Sequence, residues 1–429
     1  MRIGKLLGTV ICAACACSML LGGGTLKNAT AETKEKLYSI DEILSPIWEG
    51  EIAYHESALP VLGENGEIEP IRLLYPIDEV IEVQNAEMTK TYVAGVDYYV
   101  DKGKLWIYPD GAIPMLTHEE MYPLYESAAT MHKTDGGYIT FHEGSWFHER
   151  QIVVTYKHSA KYNGYVPEGK AELLDNIVGK LTAGNTVDML VFGDSISVGA
   201  NASGFTGASP YTPIYPQLFA EGLKKTYALS GVNVYNHSVG GKDSTWGVQT
   251  IDSVLSQHEN IDLAIVAFGM NDGAKSSSAF VANVNQIIAA IKAKFPNADV
   301  LAIATMLPNE EAKGFYLNQE SFLEALETET EGEGVAVVNM TDVHKTLLER
   351  KKYADMTGNN VNHPNDYIAR VYAQCLLKTL EENKPTAENK PTTSKTEEGG
   401  CASDLGLGMA GAVLAFGATM VALKGKKED

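Results

Sequence analysis

From Val187 onward, short apolar runs alternate with longer stretches in which apolar positions recur every third or fourth residue. The runs Val187–Phe192, Val232–Tyr235, Ile261–Phe268, Val300–Thr305 and Gly334–Val338 are apolar on both alternating faces, as strands covered on both sides must be. Between them, 214–227, 246–257, 280–295, 319–329 and 342–352 carry helical periodicity, and 367–380 closes the series. This alternation predicts an α/β domain over residues 185–381: a doubly wound, three-layer α/β/α fold with a parallel sheet.

Residues 37–165 follow another rhythm. Ile71–Tyr75, Val80–Val83, Tyr98–Val100, Leu105–Tyr108, Tyr138–Phe141 and Ile152–Tyr156 are short apolar or alternating runs bounded by turn residues, and Asp101-Lys102-Gly103-Lys104 reads as a hairpin turn. They predict an all-β sandwich or jelly-roll-like module with a core of its own. Six of the ten histidines lie here (His55, His118, His132, His142, His148, His158), none paired at metal-ligand spacing, so neither a metal nor a cofactor is expected. Trp48, Trp106, Tyr108 and Trp146 have rings able to stack on sugars, but large aromatics more often fill a core, and that role is expected.

The chemistry-bearing residues cluster where strands end. Val187–Phe192 runs into Gly193-Asp194-Ser195, Val232–Tyr235 into Asn236-His237-Ser238-Val239-Gly240-Gly241, and Ile261–Phe268 into Gly269-Met270-Asn271-Asp272. Asn362-His363-Pro364-Asn365-Asp366 stands before the last helix. A strand that delivers a serine into an open loop is how α/β enzymes present a nucleophile, and imidazole moves protons near neutral pH. Ser195 is therefore the candidate nucleophile and His363 the candidate base. Each block alone is ordinary turn or cap vocabulary; their combination and order carry the signal.

The four blocks together resemble the SGNH, or GDSL-type, hydrolase superfamily, over roughly Val187 to Leu380, under half the chain. The resemblance implies acyl-ester hydrolysis, with an oxyanion hole formed by the Ser195 and Gly241 backbone N–H groups and the Asn271 side-chain amide. A residue without Cβ at Gly241 lets backbone and substrate approach closely. One position departs from the pattern. Members usually carry an aspartate three residues before the histidine, and here Asn360 stands there. Asn360, Asp355, Asp366 or a backbone carbonyl remain as candidates to orient the ring. A β module beside such a domain is similar to some carbohydrate esterases, which implies deacetylation of an acylated glycan. A broad short-chain esterase or lipase, and a non-catalytic carbohydrate-binding surface protein with a degenerate hydrolase domain, are the alternatives.

Targeting signals alter the setting. Residues 1–31 read as a signal peptide: a basic start, the apolar stretch Leu6–Leu21 and the small residues Ala29-Thr30-Ala31. Residues 382–400 are rich in Pro, Thr, Lys and Glu and predict a disordered tether. In 401–429, Leu405–Leu423 is uncharged and followed by Lys424-Gly425-Lys426-Lys427, the pattern of a membrane anchor or sorting segment. An extracellular, cell-surface, membrane-anchored protein is expected. With the leader removed only Cys375 and Cys401 remain, too few for a disulfide framework. The net charge of −21 argues against nucleic acid as a partner.

Overall fold

Antiparallel pairing dominates the first part of the chain and parallel pairing the second. The computed structural model describes residues 37–382. In the N-terminal part, β1 (Ile52–Ala58), β2 (Glu79–Asn85), β3 (Tyr98–Asp101), β4 (Lys104–Ile107), β5 (Thr130–His132), β6 (Tyr138–Thr140) and β7 (Ile152–Lys157) form three antiparallel sheets. One has the order β1-β7-β2; β3-β4 and β5-β6 are two-stranded. The β3-β4 turn is the predicted one, Asp101 facing Lys104 with Lys102 and Gly103 both at positive φ. The strand expected at Ile71–Tyr75 does not form. Side chains capture its backbone instead: Leu74 N–H donates to the Glu56 carboxylate and Tyr75 N–H to the Tyr156 hydroxyl. Conversely, β1 escapes a pattern search because the charged Glu56 is one of its buried residues.

All five strands expected in the second part are present: β8 (Val187–Gly193), β9 (Val232–Asn236), β10 (Leu263–Ala267), β11 (Asp299–Ala304) and β12 (Val335–Asn339). They pair in parallel in the order β12-β11-β10-β8-β9. Apolar residues on both faces pack beneath helices such as Tyr215–Tyr227, Ser244–Leu255, Ser277–Lys294 and Asp366–Thr379. The chain winds outward from β8 to β9, then crosses to β10 on the other side. That reversal leaves a crevice at the carboxyl ends of β8 and β10, the place where such sheets take ligands.

Gly193 closes β8 at this crevice. A Cβ there would lie 2.4 Å from the Ala267 carbonyl oxygen on β10, so only glycine lets the strands pair up to the turn. Asp194 follows, fully buried, and its carboxylate accepts the Ile196 N–H at 2.9 Å to cap the helix Ser195–Val198. Burial first, then the nearby Asp272 charge, push its carboxyl up from 3.8 to about 7 despite the backbone N–H groups of Ile196 and Met270, which favour the charged form.

The N-terminal part does not keep a core to itself, as the sequence pattern suggested. Val83, Tyr98, Leu105 and Tyr156 belong to one continuous buried cluster with Met189, Leu301, Val371 and Leu376 of the α/β part. Trp48 is buried in that core, and the Trp146 ring stacks against His142 and is covered by the Arg150 guanidinium. Across the seam, Lys351 Nζ meets Glu56 Oε1 at 2.7 Å with both side chains essentially inaccessible. All three Lys351 ammonium hydrogens are used, the other two going to the Ser57 and Arg72 carbonyls, and both Glu56 oxygens accept, with Leu74 N–H on Oε1 and the Tyr156 hydroxyl on Oε2. Among the described residues no helix is long and apolar enough to cross a membrane. The leader at 1–31, the tether up to residue 400 and the segment 401–429 with Cys401 lie outside the described residues.

Two outcomes are expected. Lys351→Met leaves Glu56 buried and unpaired and lowers the unfolding free energy by about 3–5 kcal/mol in a denaturant titration; an unchanged midpoint would show that the seam does not need the pair. Because the folded Asp194 carboxyl titrates above its unfolded value, its contribution is complete below pH 3.8 and lost as pH rises through about 7. The stability of Asp194→Asn relative to wild type therefore climbs by up to about 4 kcal/mol between pH 4 and pH 8. A difference that stays flat with pH would contradict it.

Candidate active site

Ser195 is the first residue of the short helix after β8, and its side chain is almost wholly buried. Its Oγ lies 2.9 Å from His363 Nε2. The two residues come from opposite ends of the α/β part, and the loop 357–365 holds the histidine. Asn359 organises that loop: its Oδ1 accepts the N–H groups of Val361, Asn362 and His363, each at 3.0 Å. The Thr357 hydroxyl and Gly358 N–H both donate to the His363 carbonyl at 2.9 Å. The ring's placement is thus set by backbone bonds on both sides of it.

The two other blocks arrive at the same edge. Asn236, at the end of β9, donates from Nδ2 to the Ser197 carbonyl at 2.7 Å, tying the second loop to the serine turn. A Cβ on Gly240 would stand 3.8 Å from that of Ser195, so the glycine pair passes beside the hydroxyl. Gly241 has φ +72 with open space before it, and neither its N–H nor that of Ser195 has a hydrogen-bond partner among the described residues. Asn271 donates from Nδ2 to the Lys242 carbonyl at 3.0 Å, which fixes its amide and leaves its second hydrogen free. Behind it, the fully buried Asp272 accepts from Gly269 N–H and from both the N–H and hydroxyl of Ser244. The arrangement leaves uncommitted donors beside a serine hydroxyl that has a base in contact, the set of parts that acyl transfer requires.

The three residues proposed from sequence to orient the histidine make no hydrogen bond to its ring. Asn360 has φ +67 and turns away, donating to the Thr140 carbonyl and meeting Asn309. Asp355 accepts the backbone N–H groups of Leu59 and Lys352, and burial pushes its carboxyl up. Asp366 accepts the Ser203 N–H at 2.8 Å. In their place, His363 Nδ1 faces Asn201 Oδ1 at 2.5 Å, Asn359 Nδ2 at 3.0 Å and the carboxylate Oε2 of Glu143 at 3.3 Å. Asn359 sits only four residues before the histidine and was open to notice as a loop asparagine. Glu143 belongs to the N-terminal part, between β6 and β7, and no spacing in the sequence connects it to His363. A cavity of about 740 Å³ between the segments 61–69 and 307–311 is touched by Asn360, but neither Ser195 nor His363 lines it.

A model of the GDSL-like lipase/acylhydrolase family matches residues 191–371. No curated protein sequence matches the chain. Among solved structures, a two-domain esterase (CEX) active on acetylated mannans, co-crystallised with mannopentaose, is similar over 51% of this chain and 55% of its own length, at 20% identity and a TM-score of 0.41. Axe2, an acetylxylan esterase from Geobacillus stearothermophilus, is similar over 46% of this chain and 95% of its own, at 13% identity and a TM-score of 0.39. A member of the lipolytic G-D-S-L family from Veillonella parvula DSM 2008 is similar over 45% and 97%, at 18% identity and a TM-score of 0.35. The match spans about half the length of the two-domain esterase. Residues 191–371, which contain both Ser195 and His363, therefore form a GDSL-like lipase/acylhydrolase domain of the SGNH hydrolase superfamily.

Proposed function

We propose that this protein is a serine esterase that removes short acyl groups, acetyl foremost, from a carbohydrate outside the cell. The observation that carries the reading is the 2.9 Å contact between Ser195 Oγ and His363 Nε2 beside uncommitted N–H donors. As Oγ forms its bond to the ester carbonyl carbon, its proton passes to Nε2, and the carbonyl oxygen becomes an oxyanion. The Ser195 and Gly241 N–H groups and the free hydrogen of Asn271 receive that charge. Collapse of the tetrahedral intermediate breaks the bond to the leaving alkoxide, which takes the proton from Nε2. Water then repeats the sequence on the acyl-serine and releases the carboxylic acid, with His363 again as base.

A carbohydrate carrier is supported by the N-terminal part. On the β3-β4 hairpin, Tyr99 stacks near Trp106 at 6.3 Å and meets Tyr108 at 4.8 Å, with Tyr99 exposed, which makes a ring surface suited to a sugar face. The net charge of −21 disfavours polyanionic substrates. Secretion and anchoring to the cell surface rest on the apolar segments at the two ends of the sequence.

The full chain is expected to hydrolyse p-nitrophenyl acetate faster than long-chain esters, and to release acetate from an acetylated glycan. Ser195→Ala should lower kcat at least about 10³-fold, and equal activity in that variant would refute serine catalysis. Asn271→Ala should cost about 10²–10³ in kcat, the usual loss for one oxyanion donor, with the thermal midpoint little changed. A loss confined to KM would instead place Asn271 in substrate binding.

A further inference from the structure

We propose that Glu143, delivered by the N-terminal part, is the positioning residue that selects the catalytically competent tautomer of His363. The proposal rests on the hydrolytic reading above. His363 serves as a base only when its proton sits on Nδ1 and its Nε2 lone pair faces the Ser195 hydroxyl. The three groups around Nδ1 do not agree on that tautomer, and their orientations are determined by other bonds.

Asn359 opposes it. Its Oδ1 is committed to three backbone N–H groups, so its Nδ2 faces the ring nitrogen at 3.0 Å and offers a hydrogen to Nδ1. Accepting that hydrogen would place the ring proton on Nε2, pointing at Ser195, and leave no base. Asn201 favours the competent form. Its Nδ2 donates to the Gly144 carbonyl at 3.1 Å, so its Oδ1 faces Nδ1 as an acceptor at 2.5 Å. The amide acceptor at 2.5 Å and the amide donor at 3.0 Å pull the ring proton in opposite directions, and the third group adds a charge to the acceptor's side.

Glu143 acts on both sides of that balance. Its Oε2 stands 3.3 Å from Nδ1, where a carboxylate accepts the ring proton in a charge-assisted contact and stabilises the imidazolium formed during catalysis. Its Oε1 lies 3.3 Å from Asn359 Nδ2, whose other hydrogen goes to Asn362 Oδ1 at 3.1 Å. Both amide hydrogens of Asn359 then have oxygen acceptors, and neither is left for the ring. Burial tends to raise the Glu143 carboxyl, but the His363 ring and the amides of Asn359 and Asn201 outweigh it and hold the group below the usual carboxylate range.

The segment that carries Glu143 is fastened to the α/β part on either side of it. Thr140 accepts from Asn360, Gly144 accepts from Asn201, and the His148 ring meets the Ser209 carbonyl at 2.6 Å. This gives Asn360 a role different from the aspartate of related sequences: it anchors the strand that brings the carboxylate. The N-terminal part is consequently a component of the catalytic unit as well as a surface for substrate.

Glu143 is 55% exposed, so its charge is screened by water, and its loss should cost less than the roughly 10⁴-fold seen when a buried triad aspartate becomes asparagine. In the full chain, Glu143→Gln is expected to reduce kcat for p-nitrophenyl acetate by about 10–100-fold with KM within threefold and the thermal midpoint unchanged, and Glu143→Asp to recover part of the loss. Long-range ¹H–¹⁵N spectra of the His363 ring give a readout independent of substrate: protonation at Nδ1 in wild type, shifting toward Nε2 in Glu143→Gln. If wild type hydrolyses no ester, the proposed function fails while the spectra still report on the tautomer. If Glu143→Gln leaves both kcat and the tautomer as in wild type, or if only Asn201→Ala moves them, Glu143 has no positioning role.

Discussion

The buried ion pair between Glu56 and Lys351 is the constraint on which the arrangement of the two parts depends. A charge removed from water must be matched by an opposite charge and by enough hydrogen bonds to replace the lost solvation. Here the charges come from opposite sides of a seam: Glu56 from the first antiparallel strand, Lys351 from just beyond the helix Met340–Leu348. Neither part can be lifted away without stranding one of them. The continuous apolar core across the same seam adds area, while the ion pair and its ring of carbonyl, hydroxyl and N–H partners impose a single register.

That register matters because the candidate site is assembled across it. The parallel sheet supplies Ser195, Gly241 and Asn271 from the ends of three adjacent strands, positions tied together by the ladder itself. His363 comes from a loop that Asn359 braces from within. Glu143 alone arrives from the N-terminal part, and an angstrom of slippage at the seam would move it relative to the ring. A charge on that side of the imidazole can therefore be as well placed as one in the same loop, provided the docking is rigid.

Much of this was legible in the chain. The five parallel strands are apolar on both faces, and that pattern has few other physical readings; the helices between them follow from their period. Ser195 and His363 stood out as a serine at a strand end and a histidine before the last helix, whereas Gly241 and Asn271 were marked by the resemblance to the SGNH superfamily. The N-terminal part was read less completely. Ile71–Tyr75 has the pattern of a strand, yet Glu56 and Tyr156 take its N–H groups. Ile52–Ala58 is a strand whose buried glutamate disguises it. Both exceptions arise from the same polar cluster, whose members are far apart in sequence.

By itself the sequence determined the fold class, the strand ends and the chemical types at those ends, because hydrophobic period and turn chemistry are local properties read within a few residues. It also posed the question of the histidine's partner by placing Asn360 where related sequences carry an aspartate. Only the tertiary structure decided the answer, turning Asn360, Asp355 and Asp366 toward other partners and bringing Glu143 to Nδ1. Electrostatic partnership depends on distance in space, and no periodicity along the chain encodes which carboxylate a docked strand will carry to a ring formed from the far end of the polypeptide.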